Sequence, residues 1–125
     1  MIALCLSSGA LSATLYLQTF TLAWMHSVEK VRWEEDWRID EKGLFLTSAR
    51  IVGMGAGMEP PSDAFFKNGA WHYTPTLSAL PELILTHSSY TPGYELCIEK
   101  KCQPLINYFS SPLLDTTITL KPCKR

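Results

Sequence analysis

Apolar residues that alternate with a period of two, broken every few positions by turn formers, constrain this chain more than any other feature. Strand side chains point alternately to opposite faces, so a half-buried strand reads apolar, polar, apolar. Ile2, Leu4 and Leu6 alternate with Ala3, Cys5 and Ser7, and Phe20, Leu22 and Trp24 alternate with Thr21, Ala23 and Met25. Leu83, Leu85 and His87 alternate with Glu82, Ile84 and Thr86, and the Thr-rich run over 116–121 points Ile118 and Leu120 inward. No stretch sustains a helical apolar period through three turns. Strands are expected over 2–6, 11–17, 19–28, 44–52, 83–87 and 116–121, while 106–115 gives no clear reading. This pattern implies an all-β fold, an antiparallel sandwich or a partly closed barrel of short strands and hairpins. With 125 residues, no linker and no internal repeat, the chain reads as a single domain over 1–125.

The turn signals fix several registers. Asp40-Glu41-Lys42-Gly43 has the composition of a type I turn. Asn68-Gly69 lies between aromatic runs, which predicts a two-residue hairpin with Phe66 opposite Trp71. If Glu99-Lys100 is a second two-residue turn, Ile98 faces Lys101 and Cys97 faces Cys102. At Glu29-Lys30 the apolar phase flips toward Val31, Trp33, Trp37 and Ile39. A hairpin there would pair Val28 with Val31, His26 with Trp33 and Trp24 with Glu35. A bulge would give one long bent strand instead. Both readings stay open.

Four cysteines, Cys5, Cys97, Cys102 and Cys123, permit two disulfides. The hairpin register favours Cys97 with Cys102, which leaves Cys5 with Cys123 to tie the ends together. The long link would contribute roughly 4–5 kcal/mol by loop entropy and the short one roughly 2. Oxidised cysteines point to an exported protein, whereas free thiols would place the chain in the cytosol. A zinc site fits poorly, because Cys5 and Cys123 bring no second close ligand. The first charged residue is Glu29. The polar residues Ser7, Ser8, Gly9, Ser12, Thr14, Gln18, Thr19 and Thr21 interrupt the uncharged start, which reads as strands rather than a membrane-spanning helix. It also lacks the basic start and cleavage site of a signal peptide. The expectation is therefore a periplasmic or otherwise exported chain whose signal has been removed, with Met1 added by cloning.

Eleven Lys and Arg against twelve Asp and Glu give a net charge of −1, which argues against nucleic acid as the main partner. The densest functional candidate is the segment from Trp24 to Trp37, with its histidine, three tryptophans and first charges. His26 and Ser27 are adjacent, so on a strand they face apart and form no Ser–His couple. Glu29 and Glu35 share a face with Trp33, the elements of a two-carboxylate hydrolase. Against this, Lys30, Arg32, Glu34 and Asp36 alternate as an ordinary solvated face with cross-strand ion pairs. His26 could hold a buried contact with Glu35 or Arg50. His26, His72 and His87 lack ligand spacing, so neither a metal nor a cofactor is expected. The glycines Gly53, Gly55 and Gly57 run into Met58-Glu59-Pro60-Pro61, which cannot open a dinucleotide-binding helix; a shaped binding loop is expected instead.

Several segments, taken in order, resemble a known family: His26-Ser27-Val28-Glu29, Trp33-Glu34-Glu35-Asp36-Trp37, Gly53-Met54-Gly55-Ala56-Gly57-Met58, Leu80-Pro81-Glu82-Leu83 and Ser89-Tyr90-Thr91. The family is domain of unknown function 1850, small bacterial proteins that often carry an export signal. They tend to be encoded beside tripartite TRAP-type solute transporters of the TAXI class. The resemblance implies an envelope location and a link to solute uptake, and no reaction. Its motif positions are His26, Ser27, Glu29, Glu35, Gly53, Gly55 and Gly57. With Arg50 these form the expected binding region, for a transporter component or a small solute. A homodimer through exposed strand edges stays open.

Overall fold

A computed structural model describes residues 2–25, 31–53, 61–88, 90, 92–113 and 116–124. Among the described residues the chain forms β1 (Ile2–Ser8), β2 (Leu11–Leu15), β3 (Thr19–Met25), β4 (Arg32–Asp40), β5 (Gly43–Val52), β6 (Phe65–Lys67), β7 (Ala70–Tyr73), β8 (Leu83–His87), β9 (Glu95–Ile98), β10 (Lys101–Pro104) and β11 (Thr116–Lys124). One short 3-10 helix, Leu105–Tyr108, starts one residue before the unread stretch 106–115 and runs into it. Two antiparallel sheets result: a small one ordered β2-β1-β11-β8 and a large one ordered β10-β9-β3-β4-β5-β7-β6. They pack as a sandwich and do not close into a barrel.

The two inner faces make one core. Leu4 and Leu6 of β1 and Ile118 and Leu120 of β11 meet Phe20 and Leu22 of β3, Trp37 and Ile39 of β4, Leu44 of β5 and Leu96 of β9. Burying side chains of this size stabilises by about 1.5–3 kcal/mol each. The disulfide between Cys5 and Cys123 joins the outer sides of β1 and β11, and the one between Cys97 and Cys102 joins β9 to β10. Both pairings match the sequence reading.

The hairpin registers hold where the turns were legible. Phe66 lies opposite Trp71, and Cys97 lies opposite Cys102. Asn68 and Gly69 both have positive φ, and so do Glu99 and Lys100, as a two-residue turn matched to strand twist requires. Gly43 has φ +141, and a β-carbon on it would collide with the Leu80 carbonyl oxygen, so only glycine fits here. That approach lets Leu44 and Leu80 exchange backbone hydrogen bonds.

Some boundaries and one register differ from expectation. β1 continues through Ser8, whose hydroxyl donates to the Thr117 carbonyl of β11, so the turn narrows to Gly9-Ala10. β2 ends at Leu15 instead of residue 17, and β11 runs on to Lys124 because it pairs with β1 as far as Ile2. β3 and β4 pair antiparallel, which excludes one long bent strand. Trp24 faces Trp33, not Glu35 as the hairpin register had it. The shift is two residues, so every side chain keeps its face.

Candidate functional site

β4 sets the geometry, because it lies in the middle of the large sheet and carries three consecutive acids. Alternation sends Glu34 and Asp36 to the outer face and Glu35 to the inner face with Trp33 and Trp37. A bulge between Asp36 and Trp37 leaves Thr47 of β5 unpaired between Leu46 and Ser48. Beyond it the inward residues of β5 change from Leu44 and Leu46 to Ala49 and Ile51, which turns Arg50 outward.

The outer face holds a continuous chain of ion pairs. Arg50 donates Nη1 and Nη2 to Asp36 at 2.7 and 3.2 Å and Nε to Glu34 at 2.5 Å. Arg32 donates Nε to the other Glu34 oxygen at 2.7 Å and Nη1 to Glu95 at 2.6 Å, and its Nη2 lies 3.7 Å from Cys102 Sγ. The hydroxyls of Thr21 and Ser48 each donate to Asp36 at 2.6 Å. Burial alone would raise the pKa of Glu34 and Asp36. Hydrogen bonds from Arg32 and Arg50 to Glu34, and from Arg50, Ser48 and Thr21 to Asp36, outweigh it and hold both carboxyls below their ordinary values. The same contacts raise Arg50, chiefly through Asp36, and raise Arg32 against its own burial. Beside this chain an open groove of about 770 Å³ runs between Thr19, Thr47, His72 and the Cys97–Cys102 hairpin, with Lys100 at its rim.

The inner face is different. Trp24 stacks on Trp33 with centroids 6.1 Å apart, and Tyr94 tilts onto Trp24 at 5.6 Å. Glu35 lies one row further in, across from Leu22 of β3 and Ala49 of β5, and Ala49 faces Tyr73 of β7. Trp24, Trp33, Glu35, Tyr73 and Tyr94 are all half-buried, whereas Leu22, Trp37, Ala49 and Ile51 around them are buried. Burial pushes the Glu35 carboxyl above its ordinary value, opposed, among the described residues, by the Trp37 indole. That indole N–H is buried and completes no hydrogen bond among the described residues. Burial and then the charge on Glu35 raise both Tyr73 and Tyr94.

Of the expected binding region, Glu35, Arg50 and Gly53 are described. Glu35 and Arg50 do not meet, because they occupy opposite faces of the sheet. Gly53 has φ +111 and its β-carbon position lies 3.8 Å from Val31, so the end of β5 meets the start of β4 beside the aromatic patch. His26, Ser27, Glu29, Gly55 and Gly57 lie outside the described residues, and so does the hydrolase reading that rests on His26 and Glu29. The outward ion pairs of Arg32, Glu34 and Asp36 agree with the solvated-face reading. Sequence reasoning missed that Arg50, Thr21, Ser48 and Glu95 complete the chain. It also missed that Tyr94 joins the tryptophans. The phase break in β5 at Thr47 was the available signal for Arg50; nothing local marked Tyr94 or Glu95. Among the described residues no three His, Cys, Asp or Glu side chains gather as metal ligands, and no helix is long and apolar enough to cross a membrane.

Fold and site thus define a disulfide-linked β-sandwich with a charged outer groove and an aromatic inner rim. The chain belongs to the family of the domain of unknown function DUF1850, whose model matches residues 20–105. The match takes in β4 through β10 and nearly all of β3, and leaves β1, β2 and β11 of the small sheet outside. No curated protein and no solved structure matches the chain.

Proposed function

We propose that this protein is an exported binding module that serves TRAP-type solute transport, with the outer face of the large sheet as its docking surface. The observation that carries the reading is the outer groove, whose charged lining is locked before any partner arrives. Arg50 is fixed by three hydrogen bonds and Asp36 by donors from Arg50, Thr21 and Ser48. Side chains already immobilised lose little entropy on binding, so a polar surface of this kind favours recognition. The two disulfides accord with an oxidising compartment. The link to TRAP-type transport comes from the family resemblance alone.

The test is pairwise binding between the purified protein and each subunit of a TRAP-type transporter of the TAXI class. Wild type is compared with a His72→Ala, Lys100→Glu double variant at the groove rim. The expected result is saturable, salt-sensitive binding to one subunit with Kd below about 100 μM, weakened at least tenfold by the double variant. Absence of binding to every subunit, or equal binding by the variant, overturns the reading. Fractionation of the full gene product, with alkylation before reduction, tests export separately. Reduced thiols in a cytosolic fraction overturn that part.

A further inference from the structure

The inner rim of the large sheet carries a site that the docking reading does not use. Three rings gather at the Trp24 end of β3: Trp24 and Trp33 side by side across β3 and β4, with Tyr94 against Trp24. Glu35 follows Trp33 two residues along the same strand, about 7 Å further in on the same face. Tyr73 lies one strand beyond Ala49, close enough to feel the Glu35 charge. Trp24 and Tyr94 pack on the core from its edge, so the patch has an apolar floor and stays half open.

Two features decide what such a place would bind. Indole and phenol rings present negative faces and attract a cation placed within about 6 Å of the ring. The carboxylate among them has no cationic partner among the described residues, unlike Glu34 and Asp36 on the opposite face. A half-desolvated acid beside electron-rich rings, with no cation paired to it among the described residues, suits one positive charge of modest hydration. Metal ions fit poorly, since they need several oxygen ligands and, among the described residues, Glu35 is the one carboxylate of the patch. An inorganic anion would be repelled.

We infer that the patch formed by Trp24, Trp33, Tyr94 and Tyr73 around Glu35 is a binding site for a small organic cation bearing a substituted ammonium group. The methyl or methylene groups of the ammonium pack on the rings, and Glu35 supplies the counter-charge. Such a cation is weakly hydrated, so its desolvation costs less than that of a bare ammonium or a metal ion.

Choline and tetramethylammonium are the probes, with 3,3-dimethylbutanol as the neutral isostere of choline. Binding is read from the indole N–H resonances of Trp24 and Trp33 and from calorimetry on the intact, oxidised chain. The expected result is saturable choline binding with Kd of about 1–10 mM, and at least tenfold weaker binding of the isostere. Glu35→Gln is expected to weaken choline about tenfold without altering the isostere, and Tyr94→Leu to weaken both cations. The His72→Ala, Lys100→Glu variant should bind choline as wild type does, so this inference and the docking reading fail separately. Equal affinity for choline and the isostere marks a merely greasy patch and overturns the inference. So does unchanged choline binding by Glu35→Gln, or the absence of any indole shift up to about 50 mM ligand.

Discussion

Glu34, Glu35 and Asp36 are neighbours in sequence and opposites in environment. The outer pair is gripped by Arg32, Arg50, Thr21 and Ser48 and titrates low. The inner one sits among Leu22, Ala49 and aromatic rings and titrates high. The difference teaches that one strand can carry a stabilising charge network on one face and, on the other, a carboxyl that no cation among the described residues pairs. Only the pleat separates them.

The two faces should answer pH in opposite directions. For Glu34 and Asp36 the folded pKa is depressed. Their stabilisation is present above the ordinary values of 4.5 and 3.8 and is lost as pH falls through the folded values. For Glu35 the folded pKa is raised. Its penalty is absent below 4.5 and grows as pH rises through the folded value.

The strongest way to break the contrast is Arg50→Met. It strands two half-buried carboxylates, and urea denaturation at pH 7 should show a loss of about 2–3 kcal/mol, discounted from the fully buried case. The loss should shrink as pH falls toward 4. A loss below about 0.5 kcal/mol at pH 7 would mean that solvent already screens the outer face. Replacing Cys97 and Cys102 together by serine should cost about 2 kcal/mol while the fold persists. In that background, Glu99→Asn with Lys100→Gly should recover about 1 kcal/mol, because both native residues sit at positive φ. Ser48→Ala removes one donor from Asp36 and should cost about 1 kcal/mol by the same denaturation assay. The smallest effect has the opposite sign. Glu35→Gln should raise stability at pH 7 by less than about 1 kcal/mol and make no difference at pH 4. A loss at pH 7 would show that the Glu35 charge is compensated.

The legible parts of the fold share a cause. Asn68-Gly69, the Cys97/Cys102 spacing and the alternation in β1, β3 and β8 are local signals whose meaning depends on a few adjacent residues. The outer ion chain was half legible. Alternation of Arg32, Glu34 and Asp36 announced a charged face, but its main cation, Arg50, was read only as one of two alternative partners of His26. The reason is the bulge at Thr47, which inverts β5 halfway along. The aromatic rim was legible only as three tryptophans in one segment. Tyr94 joins them because β9 pairs with β3 across some seventy residues of chain, and no local pattern encodes such pairing.

Alternation and turn chemistry in the chain itself specified a β protein, most of its strands, two of its hairpins and both disulfide partners, because those depend on period and spacing. Which acid meets an arginine and which meets apolar and aromatic side chains depended on strand order and on one unpaired residue in β5. Charge compensation acts across space, and the neighbours that supply it come from distant parts of the sequence.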